Sequence, residues 1–421
     1  MRDWEAIPNR GRRNARPEVR AVAKGSPTRA PRSRQGKTRL GANQSNESTP
    51  MIDRRLIENF DWAIFMTLLP IVAIGLVSLY SAVYPQIQAN PTHNLFVRQL
   101  GWLGIGLLCM FCSLLINYDR MEAAGTWLFL CSMVLLMVVL IIGKEINGSK
   151  RWISLLGLQF QPSELLKIAI VLKLASHFSS QDITFYPSLK QLIVPVGLTL
   201  MAVLLILLEP DLGTAICVLA TAATMIFFMG IRWRYILGAL LAGAAMIPPL
   251  WMHVLKPYQK RRVLILLNPD LDPLGAGYHI RQSKIAIGSG MFWGKGFLNG
   301  TQNKLHFLPE KHTDFIFSVW AEEWGFLGCL ILLVLFVVLI LLILRVALRS
   351  KDRFGSLLVI GMGGLILWQV VINMGMVIGV LPVVGITLPF VSYGGSSLVI
   401  LCLAVGVVQN VSMRKYVFHH H

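Results

Sequence analysis

The chemistry-bearing residues of this sequence are a few carboxylates and cations set against long apolar runs. Asp314 stands where such a run begins, in His312-Thr313-Asp314-Phe315. An ionisable group at membrane depth is costly and is a functional candidate for that reason. The structural alternative is a helix cap, a job that Thr313 can also do. Gln161-Pro162-Ser163-Glu164-Leu165-Leu166-Lys167 opens another run. Proline suits the first helical position, and an acid suits the positive end of a helix dipole. Glu164 and Lys167 share a helix face at a spacing of three and can pair. Lys167 lies a full turn into the apolar segment, so it needs a carboxylate or phosphate partner. In Glu209-Pro210-Asp211-Leu212-Gly213-Thr214 turn chemistry accounts for both acids. Trp152, after Ser149-Lys150-Arg151, reads as an interfacial anchor.

A second source of chemistry is the segment 255–313. It interleaves cations, aromatics and glycines in Tyr258-Gln259-Lys260-Arg261-Arg262, Gln282-Ser283-Lys284 and Gly294-Lys295-Gly296. Such a segment can lie in a membrane interface or re-enter it. Its cations suit a phosphate or pyrophosphate, with lipid headgroups as the plainer partner. Its glycines match no dinucleotide or Walker pattern, so no nucleotide is expected.

These residues must be positioned by membrane helices. Hydrophobic residues make up 55% of the 421 and charged ones only 14%, against about 25% charged in soluble domains. A span needs about 20 apolar residues, and the runs are continuous rather than alternating, which excludes a barrel. The expectation is an all-α integral membrane protein with ten spans, at 62–83, 99–116, 124–142, 162–178, 191–208, 212–230, 235–254, 315–344, 355–380 and 389–411. Pro248-Pro249 should kink or end the seventh helix. The eighth run exceeds a bilayer and should tilt or project. Gly361, Gly363 and Gly364 would permit close approach of a partner's helix.

With the N-terminus inside, short loops and span ends place twelve Lys/Arg on the inner side and four on the outer. That bias puts both termini in the cytoplasm and the 255–313 loop, between helices seven and eight, outside. Of the net charge of +18, the first fifty residues hold +8, from twelve basic and four acidic residues. Residues 1–50 form a basic, Pro- and Ser-rich tail expected to be disordered. Residues 51–418 make the membrane domain, and His419–His421 look like the stub of an affinity tag. The positive charge is expected to face membrane lipids rather than nucleic acid. The six cysteines lack metal-site or disulfide spacing and read as buried hydrophobes.

In order along the chain, five motifs resemble the SEDS family. They are Arg151-Trp152 with Gln161-Pro162-Ser163-Glu164 and Lys167; Pro210-Asp211-Leu212-Gly213-Thr214; Asp272-Pro273-Leu274-Gly275-Ala276-Gly277-Tyr278; Leu308-Pro309-Glu310 with His312-Thr313-Asp314-Phe315; and Ser392-Tyr393-Gly394-Gly395-Ser396-Ser397. Leu381-Pro382-Val383-Val384-Gly385 is more similar to the elongation (RodA) type than to the division (FtsW) type. The resemblance implies a glycosyltransferase that polymerises lipid II into peptidoglycan on the outer face of the cytoplasmic membrane. It implies an essential carboxylate at Asp314, a cavity that Glu164 and Lys167 share with it, and a class B penicillin-binding protein as partner among other elongasome membrane proteins.

For that chemistry Asp314 is either the general base for the acceptor hydroxyl or a ligand to Mg²⁺ or Mn²⁺. Arg261, Arg262, Lys284 and Lys295 are the candidate pyrophosphate cations, with Trp152, Gln282 and Ser283 beside the substrate. Lys167 is expected to bridge Glu164 and Asp314 at rest. Two rivals remain, a lipid flippase or transporter and a non-catalytic scaffold for the penicillin-binding protein. Against the first, no internal repeat is evident, and the charges gather at one face rather than mid-membrane.

Overall fold

The computed structural model describes residues 59–89, 94–146, 149–155, 158–181, 187–254, 257–273, 275–305, 307 and 310–414. The expectations for the basic tail and for the terminal histidines fall outside them. The helices are α1 (Trp62–Ala89), α2 (Leu95–Leu115), α3 (Tyr118–Ile142), α4 (Pro162–Ser179), α5 (Leu189–Leu208), α6 (Leu212–Phe228), α7 (Trp233–Pro249), α8 (Pro257–Leu267), α9 (Ala276–Ser289), α10 (Thr301–Lys304), α11 (Ile316–Leu348), α12 (Arg353–Ile378) and α13 (Gly395–Arg414).

Eight of these helices are long and apolar enough to cross a membrane: α1, α2, α3, α5, α7 with the turn that follows it, α11, α12 and α13. The other two expected spans exist as helices but fall short on those grounds. α6 has only 17 residues, and α4 carries Glu164, Lys167 and Lys173 within 18. One departure from an all-helical chain lies between α3 and α4. Strands β1 (Lys144–Ile146), β2 (Ser149–Leu155) and β3 (Leu158–Phe160) form a small antiparallel sheet in the order β1-β2-β3. Two of its strands have three residues, too short to show a period in sequence.

α12 and α13 are the most enclosed of the spanning helices. α12 packs on α4, α6, α11 and α13, while α13 packs most extensively on α2, α3 on α4, and α1 on α11. The glycines of α12 serve this packing rather than a partner. A Cβ on Gly361 would strike Val171 and Met225, one on Gly363 would strike Ile343, and one on Gly364 would meet Thr221 and Thr224. α7 is the opposite case, with none of its described side chains buried. It ends at Pro249, as the proline pair predicts, and runs on as a π-helical turn, Leu250–Val254.

α11 has 33 residues but is not one rod. Gly325 interrupts it with φ 62° and ψ −160°. The break frees backbone groups, and the segment after α9 meets them. Lys295 N donates to Glu322 O (3.0 Å) and Gly296 N to Glu323 O (2.9 Å), while Phe326 N donates to Met291 O (2.9 Å) and Leu327 N to Phe292 O (3.2 Å). Every residue from Ile316 to Glu323 is buried, whereas Phe326, Leu327, Leu330 and Ile331 are exposed.

Gly325→Ala tests the break. The left-handed backbone disfavours a side chain, and a Cβ would lie 2.3 Å from Gly294 N. The variant should lose about 1–3 kcal/mol of stability, read as a lower unfolding temperature in detergent.

Candidate functional site

One end of the bundle gathers the N-termini of α4 and α6, the approach to α11, and the loop that follows α12. At the head of α4, Lys167 Nζ donates to Glu164 Oε1 at 2.7 Å, and both side chains are buried. The pairing expected at a spacing of three is present. Glu164 Oε2 and Ser163 Oγ are buried without a protein partner.

The turn into α6 is held more firmly than turn chemistry requires. Asp211 caps α6, its Oδ1 accepting from Thr214 N (3.1 Å) and its Oδ2 from Thr214 Oγ1 (2.9 Å) and Gln161 Nε2 (3.1 Å). Arg151, on β2, donates to the carbonyls of Glu209 (2.9 Å) and Pro210 and lies 3.7 Å from Asp211 Oδ2. The small sheet thus brings one guanidinium to two carbonyls and a carboxylate. Glu209 is buried with both carboxyl oxygens unpartnered. Burial, with help from Asp211 and against Arg151, pushes its pKa up to about 8.

Asp314 does not cap α11. The capping position is Phe315, with no side-chain hydrogen bond, and Thr313 Oγ1 turns back to Glu310. The backbone carbonyl of Asp314 accepts from Asn373 Nδ2 at 2.9 Å. Its carboxylate lies over Gly385, with Oδ2 3.3 Å from where a Cβ there would sit. Burial raises its pKa to about 7, Glu310 and Asp211 adding to the rise and Arg262 and Arg151 opposing it. The ring of His279, on α9, stacks on Phe315, and burial lowers that histidine's pKa against the pull of Glu310 and Asp272.

The charged neighbours of Asp314 are therefore Glu310, Asp211, Arg262 and Arg151. No ion pair among the described residues joins it to Lys167, so the expected three-way bridge is not formed. The short reach between residues three apart lets Lys167 satisfy itself on Glu164 instead.

The loop cations are divided. Arg262 is placed where its charge acts on Asp314. Arg261 pairs with Asp272 at 3.3 Å. Lys295 is held by Glu322 at 2.7 Å, and the same Glu322 oxygen accepts from Thr301 N (2.8 Å), Thr301 Oγ1 (3.0 Å) and Gln302 N (3.2 Å). Lys284 is exposed; its chain crosses Gly379 and lines a shallow pocket with Asp270, Ile280, Arg281 and Ile285. Ser283 is a packing residue, bonded to Ser318 Oγ (2.8 Å) and Val377 O (2.6 Å). Trp152 and Gln282 are half-buried.

A hard cation favours several carboxylate oxygens. Among the described residues no group of three His, Cys, Asp or Glu side chains could hold a metal. Asp211 is already engaged by Thr214, Gln161 and Arg151. Among the described residues Asp314 would therefore be at most a single ligand to such a cation, not part of a cage.

Reading the sequence by residue type missed Arg151, Glu209, Asn373 and His279 as parts of this site. Arg151 had a signal, because a cation beside Trp152 in a short loop runs against the charge bias. Asn373 had none, since it and Gln369 read as two ordinary amides in an apolar helix.

Comparison with known proteins agrees with this architecture. The family model described as cell cycle protein (FtsW, RodA and SpoVE) matches residues 61–417. The peptidoglycan glycosyltransferase MrdB of Escherichia coli K12 is 42% identical over 337 residues, covering 80% of this chain and 90% of that protein. Stage V sporulation protein E of Bacillus subtilis is 38% identical over 353 residues, 83% and 95% of the two chains. Among solved structures, a chain of a peptidoglycan synthase complex that coordinates polymerization and crosslinking aligns with a TM-score of 0.73 at 38% identity, over 85% of this chain and 98% of that one. The rod shape determining protein RodA of Thermus thermophilus aligns at 0.63 and 33% identity, over 85% and 98%.

The buried acid at Glu209 yields a stability test. Its folded pKa of about 8 exceeds the usual 4.5, so folded protein binds the proton more tightly than unfolded protein. Stability from this group is full below about pH 4.5 and is lost as pH rises toward 8. Glu209→Gln should therefore raise the unfolding temperature at pH 8 and leave it unchanged near pH 4.

Proposed function

This chain belongs to the FtsW/RodA/SpoVE family, and from that premise we propose that Asp314 is the base of its glycosyl transfer and lipid II its substrate. The protein is a peptidoglycan glycosyltransferase of the elongation type, as its likeness to MrdB and RodA supports. The observation that carries the mechanism is the setting of Asp314. It is a carboxylate brought to a pKa of about 7, with Arg262 and Arg151 as the charges that oppose the rise.

In the proposed step the acceptor 4-hydroxyl oxygen attacks the donor's anomeric carbon while Asp314 removes its proton. The bond from that carbon to the pyrophosphate oxygen breaks, and the electron pair leaves with the undecaprenyl pyrophosphate. One displacement turns an α-linked donor into a β-linked product, so no sugar is attached to the enzyme. A pKa near neutrality lets Asp314 be ionised before the step and give the proton up after it. Arg262 and Arg151 would face the charge that develops on the leaving group. In the alternative role, Asp314 would be the residue holding a Mg²⁺ or Mn²⁺, which would supply positive charge to offset part of that on the leaving group.

We further propose ten spans, with α4 and α6 completing the eight, both termini in the cytoplasm of an inner-membrane protein, and the site facing outward. A class B penicillin-binding protein is the proposed partner. The likeness to a chain of a complex described as coordinating polymerization and crosslinking supports it.

Purified protein with labelled lipid II tests the reaction. Polymer is expected, whereas bilayer translocation without polymer would point to a flippase and neither outcome to a scaffold. The rate should climb as pH rises through about 7. Asp314→Asn should fold normally, since no cap is lost, and polymerise at least roughly 100-fold more slowly; near-wild-type turnover would refute the assignment. For topology, a cysteine at Asn299 should react with an impermeant maleimide in intact cells and one at Ser350 should not. The reverse pattern would invert the arrangement.

A further inference from the structure

Asn373 is fully buried on the last two turns of α12. Its Nδ2 donates to two backbone carbonyls, Asp314 O at 2.9 Å and Ile386 O at 2.6 Å. The first belongs to the segment that enters α11, the second to the loop that leaves α12. One amide nitrogen with two hydrogens in a fixed plane can make both bonds at once.

The Asp314 carbonyl needs this partner. In a regular helix the amide four residues on would take it, but Ser318 N donates to Phe315 O (3.0 Å) instead. The same loop that Asn373 grips by Ile386 also supplies the floor beneath the carboxylate. Gly385, with φ 72°, precedes Ile386 and lies under Asp314 Oδ2. A third stitch, Tyr393 N to His312 O at 2.9 Å, joins the two segments further out. Among these ties, Asn373 alone bonds the backbone of Asp314 itself and also the residue beside its floor.

We infer that Asn373 is a positioning residue for the transfer reaction, fixing the Asp314 carboxylate by clamping the two loops that carry it and its floor. The inference rests on the proposed role of Asp314. Asn373 touches neither substrate nor reacting atoms in this scheme. Its removal frees two carbonyls and lets the base drift, and a displacement of about 1 Å can cost roughly 100-fold in rate. A purely architectural role would lower stability and leave turnover per folded molecule intact.

The test compares Asn373→Ala, Asn373→Asp and Asp314→Asn as purified full-length protein with labelled lipid II. Folded fraction, unfolding temperature, kcat and KM are measured for each. Asn373→Ala should lose roughly 10- to 100-fold in kcat per folded molecule with KM within about threefold of wild type. Asn373→Asp, neutral in so buried a place, keeps one donated bond and should fall between the two. If the alanine variant does not fold, the aspartate variant still reads the same split between kcat and KM. Unchanged kcat in the folded variants, or a loss confined to KM, would overturn the inference. An Asp314→Asn enzyme that still polymerises would instead overturn the role of Asp314, whatever Asn373 does.

Discussion

Where a chain enters or leaves an apolar medium, its helices end and their terminal carbonyls and amides lose their partners. Water cannot serve those groups within the hydrocarbon, so the protein itself must. That constraint organises this structure. Arg151 takes the carbonyls at the end of α5. Gln99 donates to Ser392 O in the loop before α13. Asn373 takes the carbonyls of two loops, and Asn410 takes those of Ser113 and Ile116 at the other end of the bundle. In each case one long polar side chain serves several backbone groups, and in doing so it locks neighbouring loops together. The rigidity of the site is a by-product of hydrogen-bond satisfaction.

The same economy explains why the charges fall into separate systems. Glu164 and Lys167 neutralise each other inside the bundle at 2.7 Å. Asp211 is consumed by its cap and by Gln161 and Arg151. Glu322 is consumed by Lys295 and the backbone of α10. Asp314 is left facing two carboxylates and two guanidiniums, none of which neutralises it fully. The role of base proposed for Asp314 needs this intermediate condition, because complete pairing would depress its proton affinity and complete isolation would keep it protonated.

Much of this was legible from residue type. Helices announce themselves through long apolar runs, and the spacing of three that joins Glu164 to Lys167 is a local geometric fact. The double proline at 248 and 249 marks the end of α7. Distant pairings were not legible. The sequence suggested that Lys167 would reach Asp314, but which loop approaches which helix end is decided by packing. Four loop cations looked equivalent on paper; only the fold distinguishes Arg262, whose charge acts on Asp314, from Lys295, which is spent on Glu322. The glycines of α12 looked like a docking stripe because a small residue marks close approach without saying to whom.

The interruption at Gly325 has a mechanical side. A continuous rod of 33 residues, about 50 Å long at 1.5 Å per residue, would act as a rigid lever. Any change of tilt in its lipid-facing part, as bilayer thickness varies, would swing its other end by several ångströms. Here every residue from Ile316 to Glu323 is buried, whereas beyond the glycine one face, with Leu332, Phe336, Leu339 and Ile343, stays packed in the bundle and the other is exposed. The parts before and after Gly325 are joined at a hinge-like break whose hydrogen bonds go to the 291–296 segment and not across the helix. A change of tilt beyond Gly325 need not then be passed in full to the carboxylate at the head of the helix.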